Sequence, residues 1–68
     1  MEFKFELLED GSAKLVEVMG EDEVVFIPDV WEEHTVTVIG TRAFYGHREI
    51  KRVRLPKDLK KIESLLFF

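Results

Sequence analysis

The first twenty residues alternate between apolar and polar positions, and this pattern predicts a β-hairpin. The alternating runs 3–7 and 13–18 lie on either side of an Asp-Gly pair. Glycine tolerates the positive φ that a two-residue hairpin turn demands, so Asp-Gly between two such runs is the strongest short-range hairpin signal. The predicted turn pairs Phe5 with Val16. This register places apolar residues together on one face and opposite charges together on the other.

Three later runs, 24–27, 35–39 and 50–55, are rich in Val and Ile and predict three further strands. Pro28 and Pro56 follow the first and the last of these runs. Proline has no amide hydrogen with which to continue a ladder, so each proline is expected to end its strand. The pattern as a whole predicts a mainly β (α+β) fold.

Residues 29–35 separate the first two of these strands and predict a second, short hairpin with Glu32 and Glu33 at its tip. The insertion contains Trp31, which is the only tryptophan of the chain. Its indole either faces a ligand or covers the core. The second arrangement is favoured, because so small a domain needs the large apolar area that a tryptophan buries.

The chain repeats part of its pattern at a fixed offset. Residues 36–45 align with residues 59–68 at an offset of 23, and residues 25–28 align with residues 53–56 at an offset of 28. The longer offset equals the shorter one plus a five-residue insertion. Self-similarity at a period of about 20–50 residues is the signature of a repeat architecture. We therefore expect a short solenoid, whose open first coil is covered by the N-terminal hairpin.

One-turn helices are expected between the strands of this solenoid. Residues 42–45 form the first of them, and Gly46 stands where a helix commonly ends in a left-handed conformation. Apolar residues at repeat positions, among them Phe44, Leu55 and Ile62, are expected to point inward. The predicted single domain, 1–68, consists of a hairpin cap with an acidic turn (1–23), a first repeat (24–58) with its insertion (29–35), and a truncated second repeat (59–68).

The motifs Val-x-x-Ile-Gly, Ala-Phe-x-Gly and Leu/Ile-Pro resemble the BspA-like type of bacterial leucine-rich repeat. His47 stands where that family usually has Cys, and the second copy has Glu63 for Gly and Leu66 for Ala. The resemblance implies a non-catalytic binding scaffold, often on cell surfaces. The residues that carry it are Val25, Ile27, Pro28, Val36, Ile39, Gly40, Ala43, Phe44, Gly46, Ile50, Val53, Leu55, Pro56, Leu59 and Ile62.

The sequence offers no convincing catalytic or metal-binding group. Ser12 and Ser64 are not obliged to neighbour a histidine, and His34, although it follows two glutamates, lies on a surface hairpin without an enclosed pocket. His47 is interpreted as a polar filler rather than as a ligand, because the chain has no cysteine and only two histidines. We expect a protein without enzymatic activity, metal or cofactor.

Targeting signals are also missing from the pattern. No stretch approaches the roughly 20 apolar residues that a membrane span needs, and the first residues lack the basic and apolar regions of a signal peptide. We expect no membrane partner, and the compartment is left open.

Charge is distributed unevenly along the chain. Residues 1–33 contain eleven acidic and two basic residues, a net charge of −9, whereas residues 34–68 contain eight basic and three acidic residues, a net charge of +5. The sum is the net charge of −4 of the whole chain. Such a split can mark a surface for an anionic partner. The simpler interpretation is that the two halves attract each other and neighbouring copies.

The most concrete function hypothesis is protein binding through the outward face of the stacked strands. The candidate residues are Phe26, Lys51, Arg52 and Arg54. Phe26 and Arg54 occupy the same repeat position, so their side chains are expected to stack in an exposed cation–π contact. One alternative is binding of a polyanion by the basic residues Lys51, Arg52, Arg54, Lys57, Lys60 and Lys61. Nucleic acid is disfavoured as the polyanion, because aromatic residues are not interleaved with these bases. Another is a truncated or designed small fold without a partner.

Self-association is a further expectation, because the last coil has no polar cap. Solenoids normally close their ends with polar terminal repeats. Here the chain finishes with the apolar residues Leu65, Leu66, Phe67 and Phe68. A two-fold dimer through this C-terminal coil is expected. A chain exchange with the acidic hairpin and a fold-back of the last residues over the core are the alternatives.

Overall fold

In a computed structural model that describes residues 2–63, the chain is mainly β, as predicted, and these residues contain no helix. Alternating and β-branched residues form short strands that curl around one small core. The strands are β1 (Glu2–Leu7), β2 (Ala13–Met19), β3 (Val24–Phe26), β4 (Val30–Trp31), β5 (His34–Ile39), β6 (Arg52–Arg54) and β7 (Lys61–Ile62).

β5 is the central strand of the larger sheet. It pairs in parallel with β2 on one side, and β4 and β7 also pair with it. Ala13 lies opposite Val36, and Ile39 lies opposite Ile62. Both pairs have the same offset as the aligned segments 36–45 and 59–68, so the shorter of the two predicted offsets reappears in the pairing of neighbouring parallel strands. A register shift after Ala13 changes the offset to 24 for the next two pairs of β2 with β5.

β3 and β6 form a separate two-stranded parallel sheet. Val25 pairs with Val53 and Phe26 pairs with Arg54, at the longer of the two predicted offsets. The alignment of these two segments is therefore confirmed. β6 is shorter than the predicted run 50–55, because only residues 52–54 pair with β3.

The N-terminal hairpin forms as predicted, but its loop does not have two residues. The amide of Leu8 donates to the carbonyl of Ser12 (2.8 Å) and Gly11, at φ 86°, donates to the carbonyl of Leu8 (3.0 Å). These bonds enclose a three-residue loop, so Phe5 pairs with Leu15 and the predicted partner Val16 is wrong. A register shift between Lys4 and Phe5 then restores the predicted pairing of β1 up to Glu2.

The predicted one-turn helix over residues 42–45 is wrong. Backbone hydrogen bonds in this segment join residues three apart, from Ala43 to Gly40 (3.2 Å) and from Tyr45 to Arg42 (3.1 Å). Such bonds form a series of turns rather than a turn of α-helix, whose bonds join residues four apart. The segment nevertheless contributes Ala43 and Phe44 to the core, as predicted, because both side chains are buried.

The core lies between the two sheets and the turns that connect them. Its largest buried side chains include Phe44, Leu15, Ile27 and Ile39. Trp31 is half-buried and stacks on Phe5, with ring centroids 5.5 Å apart, so it covers the edge of the core as predicted. Phe67, which the sequence repeat aligns with Phe44, lies outside the described residues.

Two residues that were predicted to point inward are largely exposed. Leu55 is 44% exposed and Ile62 is 43% exposed. Leu55 directly follows β6, and Ile62 lies in β7, the last strand of the described chain. An inward position is buried only when a further strand packs on it, and no later strand does so within residues 2–63.

The second hairpin connects β4 to β5 as predicted, with Glu32 and Glu33 at its tip. Both glutamates have a positive φ, 45° and 70°. Two consecutive positive φ values are the requirement of a type I′ turn, which favours Asn and Gly. A Cβ atom in this conformation is unfavourable, so the tip is held in a strained backbone by the pairing around it.

Replacing the two tip residues by Glu32→Asn and Glu33→Gly is expected to raise the free energy of unfolding by about 1–2 kcal/mol, because these residues adopt the type I′ turn more easily. Urea denaturation measures the change. The variant Glu32→Gln/Glu33→Gln is the control, since it removes the two charges and keeps the Cβ atoms. Equal stabilisation by both variants would assign the effect to charge repulsion rather than to backbone strain.

Candidate protein-binding surface

The outward face of the β3–β6 sheet brings together three of the four predicted binding residues. The parallel register places Phe26 beside Arg54 and Val24 beside Arg52, and all four residues are exposed. Their neighbours Val25 and Val53 point to the core, because side chains alternate along a strand. The surface defined by Val24, Phe26, Arg52 and Arg54 is called the outer face below.

Phe26 is the most exposed large apolar side chain of this face. It leaves 70% of its surface in contact with solvent, and Val24 leaves 47%. Burial of an aromatic ring is favourable in proportion to the apolar area removed from water. The outer face therefore retains an apolar centre that is not buried when the chain folds.

Arg54 does not stack on Phe26 as predicted. Its guanidinium forms a two-pronged ion pair with Asp29, with Nη1–Oδ1 at 3.1 Å and Nη2–Oδ2 at 3.3 Å, and Nη1 also donates to the carbonyl of Ile27 (3.3 Å). Such planar pairs are directional and strong. The predicted cation–π contact is wrong because the carboxylate of the insertion attracts the guanidinium more strongly than the ring does.

Asp29 connects the insertion to the loop after β6. Its Oδ1 atom also accepts a hydrogen bond from the amide of Lys57 at 2.7 Å. This bond and the ion pair with Arg54 favour the ionised carboxylate and hold the pKa of Asp29 below its ordinary value of 3.8. One short acidic side chain thus positions the arginine and the backbone beside the outer face.

The fourth predicted binding residue, Lys51, lies directly before β6. It forms an exposed ion pair with Glu23 at 3.5 Å. Arg52 is exposed and lies opposite Val24. Because Lys51 and Arg54 both contact acidic residues of the first half, part of the charge asymmetry is neutralised within the molecule. This weakens the case for a continuous polyanion-binding surface.

Glu63, which departs from the resembled repeat, takes part in a similar contact between distant segments. Its Oε1 atom lies 3.2 Å from the ammonium of Lys14 and accepts a hydrogen bond from the amide of Thr41 (3.3 Å). The Lys14 contact is the first cause that lowers the pKa of Glu63. At the equivalent position Gly40, a Cβ atom would meet the carbonyl oxygen of Leu15 at 3.0 Å. The two equivalent repeat positions therefore differ in the space available for a side chain: Glu63 has room for one, whereas Gly40 lies against the backbone of Leu15.

The two histidines hold backbone atoms in place. Nδ1 of His34 is hydrogen-bonded to the carbonyl of Gly11 (2.9 Å), and Nε2 of His47 to the carbonyl of Val18. A carbonyl only accepts, so each of these ring nitrogens carries the hydrogen. The described residues contain no group of three His, Cys, Asp or Glu side chains that could hold a metal ion.

The predicted self-association residues, Leu65, Leu66, Phe67 and Phe68, lie outside the described residues. Within residues 2–63, no helix has the length and apolar character to span a bilayer.

A polar cleft on the larger sheet was missed by sequence reasoning. It has a volume of about 380 Å³ and lies between the first hairpin loop, β5 and the loop before β7. The sequence contains a signal for this cleft, because the polar residues Ser12, Thr35 and Asp58 are each 23 residues apart, which is the shorter repeat offset. The residues that line it are Asp10, Gly11, Ser12, Thr35, Thr37, Asp58 and Lys60.

Replacement of Asp29 by Asn is expected to lower stability at neutral pH and to have less effect in acid. The pKa of Asp29 is lower in the folded than in the unfolded chain, so its contribution is present above the unfolded value and is lost as the pH falls through the folded value. Urea denaturation of both proteins at pH 7 and near pH 3 measures the difference. Glu21→Gln is the control, and a constant difference across this range would contradict the prediction.

Comparisons with known proteins give no relative from which a function could be transferred. No protein family, curated protein or solved structure matches the chain. The function of the outer face is therefore argued from its own side chains.

Proposed function

We propose that the protein is a non-catalytic interaction module that binds another protein through its outer face. The observation that carries this proposal is the 70% exposure of Phe26 in a regular strand, beside the arginines of β6. Aromatic and arginine residues are the types most often responsible for binding energy in protein interfaces. An extended or flat protein surface with apolar and acidic groups matches this combination.

The outer face is also well ordered before binding. Three consecutive residue pairs hold β3 against β6, and the ion pair with Asp29 fixes the guanidinium of Arg54. A preorganised side chain loses less conformational entropy when a partner binds. Arg52, which lies on the same face, supplies a positive charge that can attract an acidic partner.

We further propose that the chain has the architecture of a BspA-like leucine-rich-repeat solenoid, with an N-terminal cap and about one and a half repeats. The support is the register of the parallel strands, because β2 with β5 and β5 with β7 contain pairs at the offset of the sequence repeat. β3 and β6 add a second parallel pair. In such a fold, equivalent outward residues align in rows, which is how solenoids present extended binding surfaces.

Selection of a phage-displayed random peptide library on the whole protein tests the proposed binding function. We expect selected peptides to lose at least tenfold in affinity with Phe26→Ser, because a central aromatic anchor typically contributes more than about 1.4 kcal/mol to an interface. The same substitution is expected to change the free energy of unfolding by less than about 0.5 kcal/mol, because the ring is exposed.

Tyr45→Ser is the matched control, since Tyr45 is 59% exposed and lies outside the outer face. Peptides that depend on Tyr45 and not on Phe26 would overturn the proposal, as would a selection without any specific binder. Binding that falls steeply with salt, and that heparin reproduces, would instead support the polyanion alternative.

We also propose that two copies associate through the C-terminal coil. Within the described residues, Ile62 lies in the last strand, β7, and leaves 43% of its surface exposed. Apolar groups at an open strand edge favour pairing with a second chain. A two-fold arrangement would close the assembly.

Sedimentation equilibrium over a range of concentrations is expected to show reversible dimer formation, weakened by Ile62→Ser because the substitution removes apolar contact area. Val30→Ser is the control, since Val30 is 52% exposed and lies in β4. A single monomeric species at several hundred micromolar would refute the dimer.

A further inference from the structure

The polar cleft is built from equivalent positions of successive strands. Ala13 lies opposite Val36, so Ser12, directly before β2, lies next to Thr35 in β5. The amide of Lys60 donates to the carbonyl of Thr37 at 2.8 Å, which brings the loop before β7 alongside β5. Neighbouring strands lie about 4.8 Å apart. The cleft therefore presents rows of polar side chains at a regular spacing.

Hydrogen bonds in the cleft floor have a defined direction. The hydroxyl of Thr37 donates to Oγ of Ser12 (2.8 Å), and the hydroxyl of Ser12 donates to Oδ1 of Asp10 (2.5 Å). Ser12 and Thr37 are 8% and 5% exposed, whereas Asp10 at the end of this series is exposed. Both hydroxyl hydrogens are donated within this series of hydrogen bonds, and each hydroxyl oxygen keeps a lone pair that can accept a further hydrogen bond. The floor is consequently rich in acceptors.

The rim of the cleft supplies charged groups of both signs. Asp10 and Asp58 contribute carboxylates, and Lys60 contributes an ammonium group with three donors. The hydrogen bonds from the Ser12 side chain and backbone lower the pKa of Asp10, and the nearby charge of Lys60 adds to this effect. The two carboxylates repel an anionic ligand, and the ammonium group of Lys60 offsets one of their two charges, so little net charge is left to attract a cation.

The lining also indicates what kind of neutral molecule would fit. All lining residues except Gly11 carry polar side chains, so an apolar ligand would leave hydrogen-bonding groups without water or partners. A hydroxyl group can donate to a carboxylate or a threonine oxygen and accept from an ammonium group. Several hydroxyl groups on one small ring match the mixture of acceptors and donors in this cleft.

We propose that the polar cleft formed by Asp10, Ser12, Thr35, Thr37, Asp58 and Lys60 binds a neutral polyhydroxylated ligand of the saccharide class. The site is independent of the outer face and lies on the other sheet. Its open form and the absence of aromatic side chains from its lining favour weak binding, in the millimolar range.

Nuclear magnetic resonance titration of the whole protein tests this site. The probes are methyl glucopyranoside, methyl galactopyranoside and methyl mannopyranoside, with methylammonium chloride, sodium phosphate and calcium chloride as probes of other classes. We expect at least one glycoside to give saturable changes in amide shifts at residues 10–12, 35–37 and 58–60, because these segments surround the cleft.

Two pairs of variants locate the interaction. Thr35→Val removes an acceptor at similar volume, and Lys60→Met removes the donor but keeps the aliphatic stem. Each is expected to weaken glycoside binding by about threefold to tenfold, which corresponds to one hydrogen bond. Thr41→Val and Lys61→Met are the matched controls outside the lining and should leave the affinity unchanged. Amide spectra of all four variants verify that they fold.

Each outcome decides the proposal. Changes that do not saturate, that lie outside the cleft, or that persist unaltered in Thr35→Val and Lys60→Met would overturn it. Tighter binding of methylammonium, phosphate or calcium at the same residues would overturn the ligand class. Phe26→Ser should leave the glycoside titration unchanged, so failure of the outer face as a binding surface and failure of the cleft are separately visible.

Discussion

Parallel pairing of β5 with strands on both sides is the constraint on which the structure depends. Parallel strands cannot be joined by a tight turn, so the chain must travel around the molecule before it returns to the same sheet. The register offset sets the length of that path, which is 23 residues both between Ala13 and Val36 and between Ile39 and Ile62. Because the inward residues then lie one above another, a chain of 68 residues can bury Val36, Ile39 and Phe44 in one core.

Parallel pairing also arranges the surface. Residues at equivalent repeat positions become neighbours in space, which places Phe26 beside Arg54 on the smaller sheet at an offset of 28 and Thr35 near Ser12 on the larger one at an offset of 23. The first combination is apolar and positively charged, whereas the second is polar. Two chemically different surfaces therefore arise from parallel pairing, because successive strands differ in their outward residues while the inward ones remain apolar.

Charged side chains join segments that the sheets alone would leave apart. Asp29 holds both Arg54 and the amide of Lys57, and Glu63 holds Lys14 and the amide of Thr41. These contacts link residues of the acidic first half to residues of the second half. Ion pairs at a surface contribute little individually, but a carboxylate that also accepts a backbone hydrogen bond positions the loop that carries it.

The sequence by itself determined the elements whose cause is local or periodic. Alternation and turn residues encode both hairpins, and the two repeat offsets encode the parallel partners, including the pair Phe26–Arg54 at the longer offset. Only the tertiary structure decided the three-residue loop that gives Phe5 a different partner, and the orientation of Arg54 toward Asp29. These features depend on distances between atoms of segments far apart in the chain. A pattern of residue types specifies which segments meet, whereas packing and competing hydrogen bonds determine which atoms do.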